Sequence, residues 1–457
     1  MEIRIGKKDV LWSYGAQLFI FGSNILILPI ILRKLTSQQL GIWYIFIALY
    51  SLVMLLDFGL LPTISRNMTY ILSGAKKLKA IGIEEGELQK TVDVNLLFSF
   101  IKTVKKIYAL ISVILFVLLM GPGVWYIHTI TKGTGLTVQS TYAWIIYSVS
   151  TVLNFYYYYY SAILQGRGKI KESNKAIVYS KIVYLIIILI LVLLGYGLIG
   201  LAIGNLCSII LNRILFHYYF NDKEMKTLKK KFILNKKQTQ QIRLFKTIWS
   251  NSYRLGLVSL GAFLILRMNT LIGAKYLSLS TIAEYGITLQ ILNIVQMFSQ
   301  MYFTTHIPKF NSLRMKGDMH GVKQLFRKCL RIALGTYISF FLIFLLLGNI
   351  GLKLIGSKTT LLTWHAIALF GIIILLELNH SISASLITTK NEVPFVKPAL
   401  ISGILIVIAS IVMFKFLHMG VYSILLPQFI VQLCYNNWKW PHEVAKEFKM
   451  SFIKLIF

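Results

Sequence analysis

Apolar residues in this chain fall in long runs, without the two-residue alternation of half-buried strands or a sustained heptad. A bilayer core about 30 Å thick is crossed by roughly 20 residues of helix. Twelve stretches suit that ruler: 10–32, 40–63, 107–127, 142–164, 177–198 and 200–220, then 249–271, 282–306, 332–350, 364–387, 399–417 and 421–434, the last being the shortest. The pattern predicts an all-α polytopic membrane protein with about twelve transmembrane helices. The basic N-terminus runs straight into the first stretch with no small-residue cleavage site after it, so it reads as a retained span.

Composition agrees: of 457 residues 56% are hydrophobic and 14% charged, with a mean hydropathy of +0.69. The net charge of +32 would suggest nucleic acid on a soluble domain; here its distribution reports topology. With the N-terminus placed inside, 37 of the 48 Lys and Arg residues lie in connections on the cytoplasmic side, seven lie on the outer side, and four (Lys181, Arg213, Arg254 and Arg267) fall within spans. Both termini are therefore expected in the cytoplasm, and nucleic acid is not an expected partner. The longest outer loop, near 128–141, leaves no room for an external catalytic domain, so no enzyme activity is expected. The basic cytoplasmic connections 64–106 and 220–248 have helical composition suited to lying on anionic headgroups.

The two halves of the chain repeat in order. Leu35-Thr36-Ser37 before Gly41-Ile42 corresponds to Leu277-Ser278-Leu279 before Gly286-Ile287, and Ser161-Ala162-Ile163-Leu164 to Ser383-Ala384-Ser385-Leu386. This predicts an N-terminal six-helix bundle at 1–220, a basic cytoplasmic linker at 221–248, and a C-terminal six-helix bundle with a cytoplasmic tail at 249–457. The bundles would be related by a pseudo-two-fold axis along the membrane normal, with a cavity between them.

Signatures of nucleotide, metal and hydrolytic chemistry are missing. Gly166-Arg167-Gly168-Lys169 lacks the spacing of a phosphate loop and reads as a turn. Cys207, Cys329 and Cys434 have no CxxC spacing and no His cluster, so neither a disulfide framework nor a metal is expected, and no cofactor is implied. Ionisable groups inside spans remain, each costly unless it faces protein or water. Arg267, far along an apolar span, either lines a polar cavity, or pairs structurally with a neighbouring carboxylate or carbonyl, or snorkels outward. Arg254 lies thirteen residues earlier, about 220° away on a straight helix, so the two would not share a face. Lys181 can snorkel to the interface, and Arg213 has the same ambiguity. Asp57 is either a packing anchor or a cavity acid. Glu377 and His380, at i and i+3, share a helix face and could hold or pass a proton; a hydrogen-bonded clasp between helices is the alternative. Asn269 follows Arg267, and Gln290, Asn293, Gln296 and Gln300 form a polar stripe that could bind sugar hydroxyls or join helices. The five tyrosines at 156–160 suit interfacial packing better than a continuous stacking platform.

Leu40-Gly41-Ile42-Trp43 leading to Leu56-Asp57-Phe58-Gly59-Leu60, Leu164-Gln165-Gly166-Arg167-Gly168-Lys169 with Asn174-Lys175, and Gly195-Tyr196-Gly197-Leu198-Ile199-Gly200-Leu201-Ala202 carry a likeness. The chain resembles the O-antigen and capsular polysaccharide flippases of the multidrug/oligosaccharidyl-lipid/polysaccharide exporter (MOP) superfamily. That resemblance implies an undecaprenyl-pyrophosphate-linked oligosaccharide as substrate, moved across the bacterial inner membrane by alternating access. It also implies a cation-lined cavity, surrounding membrane lipid, and polysaccharide polymerase and chain-length proteins as partners. Arg267 would then meet the phosphate or an acidic sugar, with Arg254, Lys181 and Arg213 as further cavity cations. A drug or cation antiporter of the same fold would favour a more acidic cavity. A lipid II-type flippase would typically carry fourteen spans.

Overall fold

The structure, a computed structural model, describes residues 7–74, 78, 92–234, 256–315, 317–390 and 394–451. Among these residues every regular element is helical, and helix occupies each of the twelve apolar stretches. Eight helices or broken helix pairs are individually long and apolar enough to cross a bilayer. The helix Leu279–Met315 is not among the eight in spite of its 37 residues, because its polar stripe dilutes its apolarity, and Tyr422–Cys434 is short at 13 residues. The chain is an all-α, multi-pass membrane protein.

It divides into two compact units. The first comprises Met1–Leu35 and Leu49–Leu257, the second Thr36–Ala48 and Val258–Phe457. The first unit contains α1 (Lys7–Lys34), the end of α2 (Ser37–Met54), α3 (Leu60–Leu72), α4 (Val94–Leu118), α5 (Val124–Thr131), α6 (Thr137–Tyr156), α7 (Tyr159–Gly166), α8 (Ile170–Leu193), α9 (Gly197–Phe220) and α10 (Lys223–Leu234). The second contains the start of α2, all but the first two residues of α11 (256–266), α12 (Met268–Tyr276), α13 (Leu279–Met315), α14 (Met319–Ile355), α15 (Trp364–Thr388), α16 (Val396–Phe416), α17 (Tyr422–Cys434) and α18 (Asn436–Glu447). The unit boundary thus cuts α2 itself, a division that span counting does not anticipate.

The first half of α2 is held in the second unit by close helix contact. A Cβ on Gly41 would overlap the Leu279 carbonyl oxygen, and one on Gly286 would overlap the Tyr44 ring. Only glycine permits this approach. The Tyr44 hydroxyl then donates to Gln290 Oε1 at 2.7 Å, and Ser37 Oγ donates to the Lys358 carbonyl at 2.8 Å.

Among the described residues four spans are interrupted, and at two of the breaks a side chain from a neighbouring helix donates to a carbonyl at the break, which supports irregular backbone at membrane depth. A π-turn at Leu119–Gly123 carries Pro122, and the Trp144 indole donates to the Leu119 carbonyl at 3.0 Å. Between α6 and α7 the chain breaks at Tyr157 and Tyr158, and Arg213 Nη1 donates to the Tyr157 carbonyl at 3.3 Å. The third break is a 3-10 turn at Leu55–Asp57 followed by left-handed Phe58 and Gly59. The fourth falls at Arg267, between α11 and α12. Many outward-facing side chains on the spans are apolar, among them Leu346 at 73% exposure and Leu354 at 84% on α14, as a lipid-facing surface requires.

Candidate functional site

The break at Arg267 creates the first site. Arg267 has non-helical backbone (φ −122°, ψ −29°), and its side chain lines a cavity of about 40 Å³ with Tyr285, Asn293, Phe370 and Gln428. No carboxylate pairs with it among the described residues. Two residues on, fully buried Asn269 donates to Gln428 Oε1 at 2.8 Å, which ties α12 to α17 beside the guanidinium. The arrangement is a cation with amide and phenol groups around it, suited to an anionic or hydroxylated ligand.

A second cavity of about 260 Å³ lies in the same unit, and Leu266 lines both. Its polar wall is Glu377, His380, Ser381, Gln432 and Asn436; Val258, Ala262 and Ile265 of α11 supply apolar wall. Glu377 and His380 do face one space. Among the described residues His380 Nδ1 and Gln432 Nε2 are buried without a hydrogen-bond partner, so the cavity holds unspent polar capacity. Gln300 donates to Ser381 Oγ at 3.1 Å, linking the stripe on α13 to this wall.

The remaining candidates on the stripe have separate places. Gln290 accepts from Tyr44, and Gln296 is half-buried on α13. Arg254 lies outside the described residues.

In the first unit Asp57 is buried at the α2 break, where the Tyr108 hydroxyl donates to its Oδ1 at 2.5 Å and the Leu61 N–H to its Oδ2 at 3.2 Å. Arg213 donates to Asn154 Oδ1 as well as to the Tyr157 carbonyl, and Asn154 Nδ2 donates to the Tyr50 hydroxyl at 2.8 Å. It therefore bridges the break among the tyrosines. Lys181 sits over the ring of Tyr184, 4.2 Å from its centroid. The tyrosine run is split by the break, with Tyr159 and Tyr160 buried and Tyr157 stacked on Tyr160 at 6.0 Å.

Two ion-pair clusters lie at helix ends. Arg167, in the turn read from Gly166-Arg167-Gly168-Lys169, has a side chain 1% exposed; its Nη2 reaches Asp222 Oδ2 at 2.9 Å and Glu224 Oε2 at 3.2 Å, and its Nη1 donates to the Phe220 carbonyl at 3.1 Å. Lys169 also pairs with Asp222. Burial pushes the Asp222 carboxyl up, but Lys169, the Met225 N–H and Arg167 outweigh it and hold it below the usual carboxylate range. In the second unit Glu447 of α18 meets Arg314 at 2.7 Å and Lys390 at 2.8 Å. Sequence reasoning missed Tyr108, Tyr285 and Gln428; Gln428, an amide beside Pro427 in an apolar run, was the one with a visible signal.

No protein-family model matches the chain, and no curated protein matches its sequence. In three dimensions its fold is similar to that of solved MOP-superfamily transporters. In particular, an inward-facing multidrug-resistance MATE transporter of that superfamily superposes with a TM-score of 0.63 at 12% identity, over 95% of this chain and 96% of that one. The lipid II flippase MurJ, inward closed, gives 0.61 at 12% identity over 98% of this chain and 89% of MurJ. A MOP-superfamily transporter from Pyrococcus furiosus, described by the reverse polarity of its binding pocket, gives 0.52 at 11% identity over 98% of both. At these identities the likeness is one of fold.

Proposed function

We propose that this protein is a flippase that carries undecaprenyl-pyrophosphate-linked oligosaccharide repeat units, of O-antigen or capsule type, across the bacterial cytoplasmic membrane by alternating access. The observation that carries this reading is Arg267: a cation at a helix break inside a span, with no acid partner among the described residues and with amides around it. A pyrophosphate supplies the missing counter-charge, and sugar hydroxyls suit the amides. The bias of 37 cations among 48 supports an orientation with both termini cytoplasmic. Arg254, Lys181 and Arg213 are further candidate cations; Arg213 is the weakest, since both its terminal nitrogens already serve Asn154 and Tyr157.

Glu377 and His380 are the proposed coupling pair. Their cavity shares Leu266 with that of Arg267, so a proton or ion taken up at one can shift the α11–α12 break at the other. Asp57, bound to Tyr108, is a second coupling candidate.

The test is Arg267→Ala beside Arg267→Lys in cells, at matched protein level. Surface polysaccharide should fall and lipid-linked repeat units should accumulate on the inner leaflet for the alanine variant, with partial recovery for lysine. Full export by Arg267→Ala refutes the reading. Transport unchanged by Glu377→Gln and by collapse of the proton gradient removes the coupling pair. The MurJ likeness favours a second reading, a lipid II-type flippase; rescue of cells depleted of their own lipid II flippase would select it. Small-molecule efflux without lipid dependence would select a drug antiporter, the reading suggested by the MATE neighbours.

A further inference from the structure

α10 begins three residues after the end of α9, one of the helices long and apolar enough to cross a bilayer. The last turn of α9 carries Tyr218, 72% exposed, an aromatic of the kind that sits at the headgroup boundary. α10 is fixed there from both ends. Asp222 accepts from the Met225 N–H at 2.9 Å and is itself gripped by Arg167 and Lys169, while Phe232 stacks on Phe98 of α4 at 5.0 Å.

Its two faces differ. Met225, Leu228 and Phe232 follow helical spacing, with Met225 fully buried and the other two half-buried. Five lysines (Lys223, Lys226, Lys229, Lys230 and Lys231) are all exposed, and four of them fall on the opposite side of the helix. The acids nearby, Asp222 and Glu224, are engaged by Arg167, and no ion pair takes any of the five lysines among the described residues. Ile233, 67% exposed, flanks the basic face.

We propose that the basic face of α10 is a docking surface for the anionic phospholipid headgroups of the bilayer around the protein. Charge complementarity and position in the chain select this occupant: lysines without an ion pair among the described residues, on a clamped helix directly following a candidate span, with an exposed isoleucine beside them. Topology alone would need these charges counted, but not ordered on one face of a clamped helix. The inference stands apart from the transport reading, because it concerns lipid around the protein and not the cargo.

The experiment is amide hydrogen exchange of α10 in the intact chain, in nanodiscs of phosphatidylcholine alone and with about 30% phosphatidylglycerol. Each lysine near an anionic surface is worth about a fivefold preference, so α10 exchange should slow about fivefold or more with phosphatidylglycerol. Salt of about 1 M, where the screening length is about 3 Å, should reverse the effect. Lys223→Gln, Lys226→Gln, Lys230→Gln and Lys231→Gln combined should abolish the lipid difference, and arginine at the same four positions should preserve it. Equal exchange of the wild type in both nanodiscs overturns the proposal, whether or not the glutamine variant folds. Protection seen in native membranes but in neither nanodisc also overturns it and assigns the face to a protein partner.

Discussion

The docking of the C-terminal helix α18 should depend on Glu447. Its carboxylate meets Arg314 at 2.7 Å and Lys390 at 2.8 Å; Arg314 and Glu447 side chains are each 13% exposed and Lys390 31%. Glu447→Gln keeps an acceptor near Arg314 but leaves two cations without their counter-charge, one of them mostly buried. Charge-assisted contacts of this kind contribute about 1.5–3 kcal/mol each, and breaking a buried pair costs about 3–5 kcal/mol; with one partner retained and Lys390 partly in water, about 2–4 kcal/mol is expected. Apolar contacts persist, since Trp440 and Val444 stay buried and Phe395 meets Trp440 edge-on at 5.7 Å, so α18 should detach more often while the bundle remains folded. The assay is maleimide labelling of Val444→Cys in a protein lacking Cys207, Cys329 and Cys434. Labelling should quicken by about 30- to 900-fold with Glu447→Gln, the Boltzmann factors of that range, and Arg314→Met should add less than its separate effect. Acid should do the same. Burial pushes the Glu447 carboxyl up, but Arg314 and Lys390 hold it below its ordinary value. The stabilisation is therefore complete above the unfolded pKa of about 4.3 and is lost as pH falls through the lowered native value. Unchanged labelling in Glu447→Gln, or acid release centred above about pH 5, refutes the reasoning.

Gly41→Ala should destabilise by about 1–3 kcal/mol, because the new methyl would overlap a backbone carbonyl that moves only with α13. Gly335→Ala, with nothing within 4 Å, should be neutral or stabilising by up to about 1 kcal/mol; thermal unfolding in detergent compares the two, and equal effects would deny the close contact. Tyr108→Phe should cost about 1.5–3 kcal/mol by stripping Asp57 of its side-chain donor. Tyr108→Phe and Asp57→Asn combined should cost less than the two changes summed, as the same melts will show. Arg167→Ala should cost about 3–5 kcal/mol, since it leaves Asp222, Glu224 and the Phe220 carbonyl without their shared donor, and proteolysis within α10 should quicken; an unaltered cleavage rate counts against the clamp.

The class of the molecule was written in one dimension. Apolar runs of span length force helix, because a backbone in lipid must satisfy its own hydrogen bonds, and this holds for each stretch regardless of its neighbours. The positive bias and the list of costly in-span groups are legible for the same reason: each is a property of one residue and its depth. Arg267 stood out because few residues in its span could explain it, and Glu377 with His380 could be placed on one face by spacing alone.

Pairing across the fold was not written that way. Asp57 finds Tyr108, 51 residues away, and Asn269 finds Gln428, 159 residues away; such partners depend on which helix faces which, and helical periodicity carries no information about that. The breaks at Tyr157 and Arg267 lack the proline that marks Leu119–Gly123, and the Tyr157 carbonyl receives Arg213, a side chain 56 residues on. The sequence determined which segments are helical and dissolve in lipid, since burial in hydrocarbon acts on each segment alone. The tertiary structure decided where those helices break, where α2 passes from one unit to the other, and which acids the buried cations meet, since these depend on contacts between distant segments.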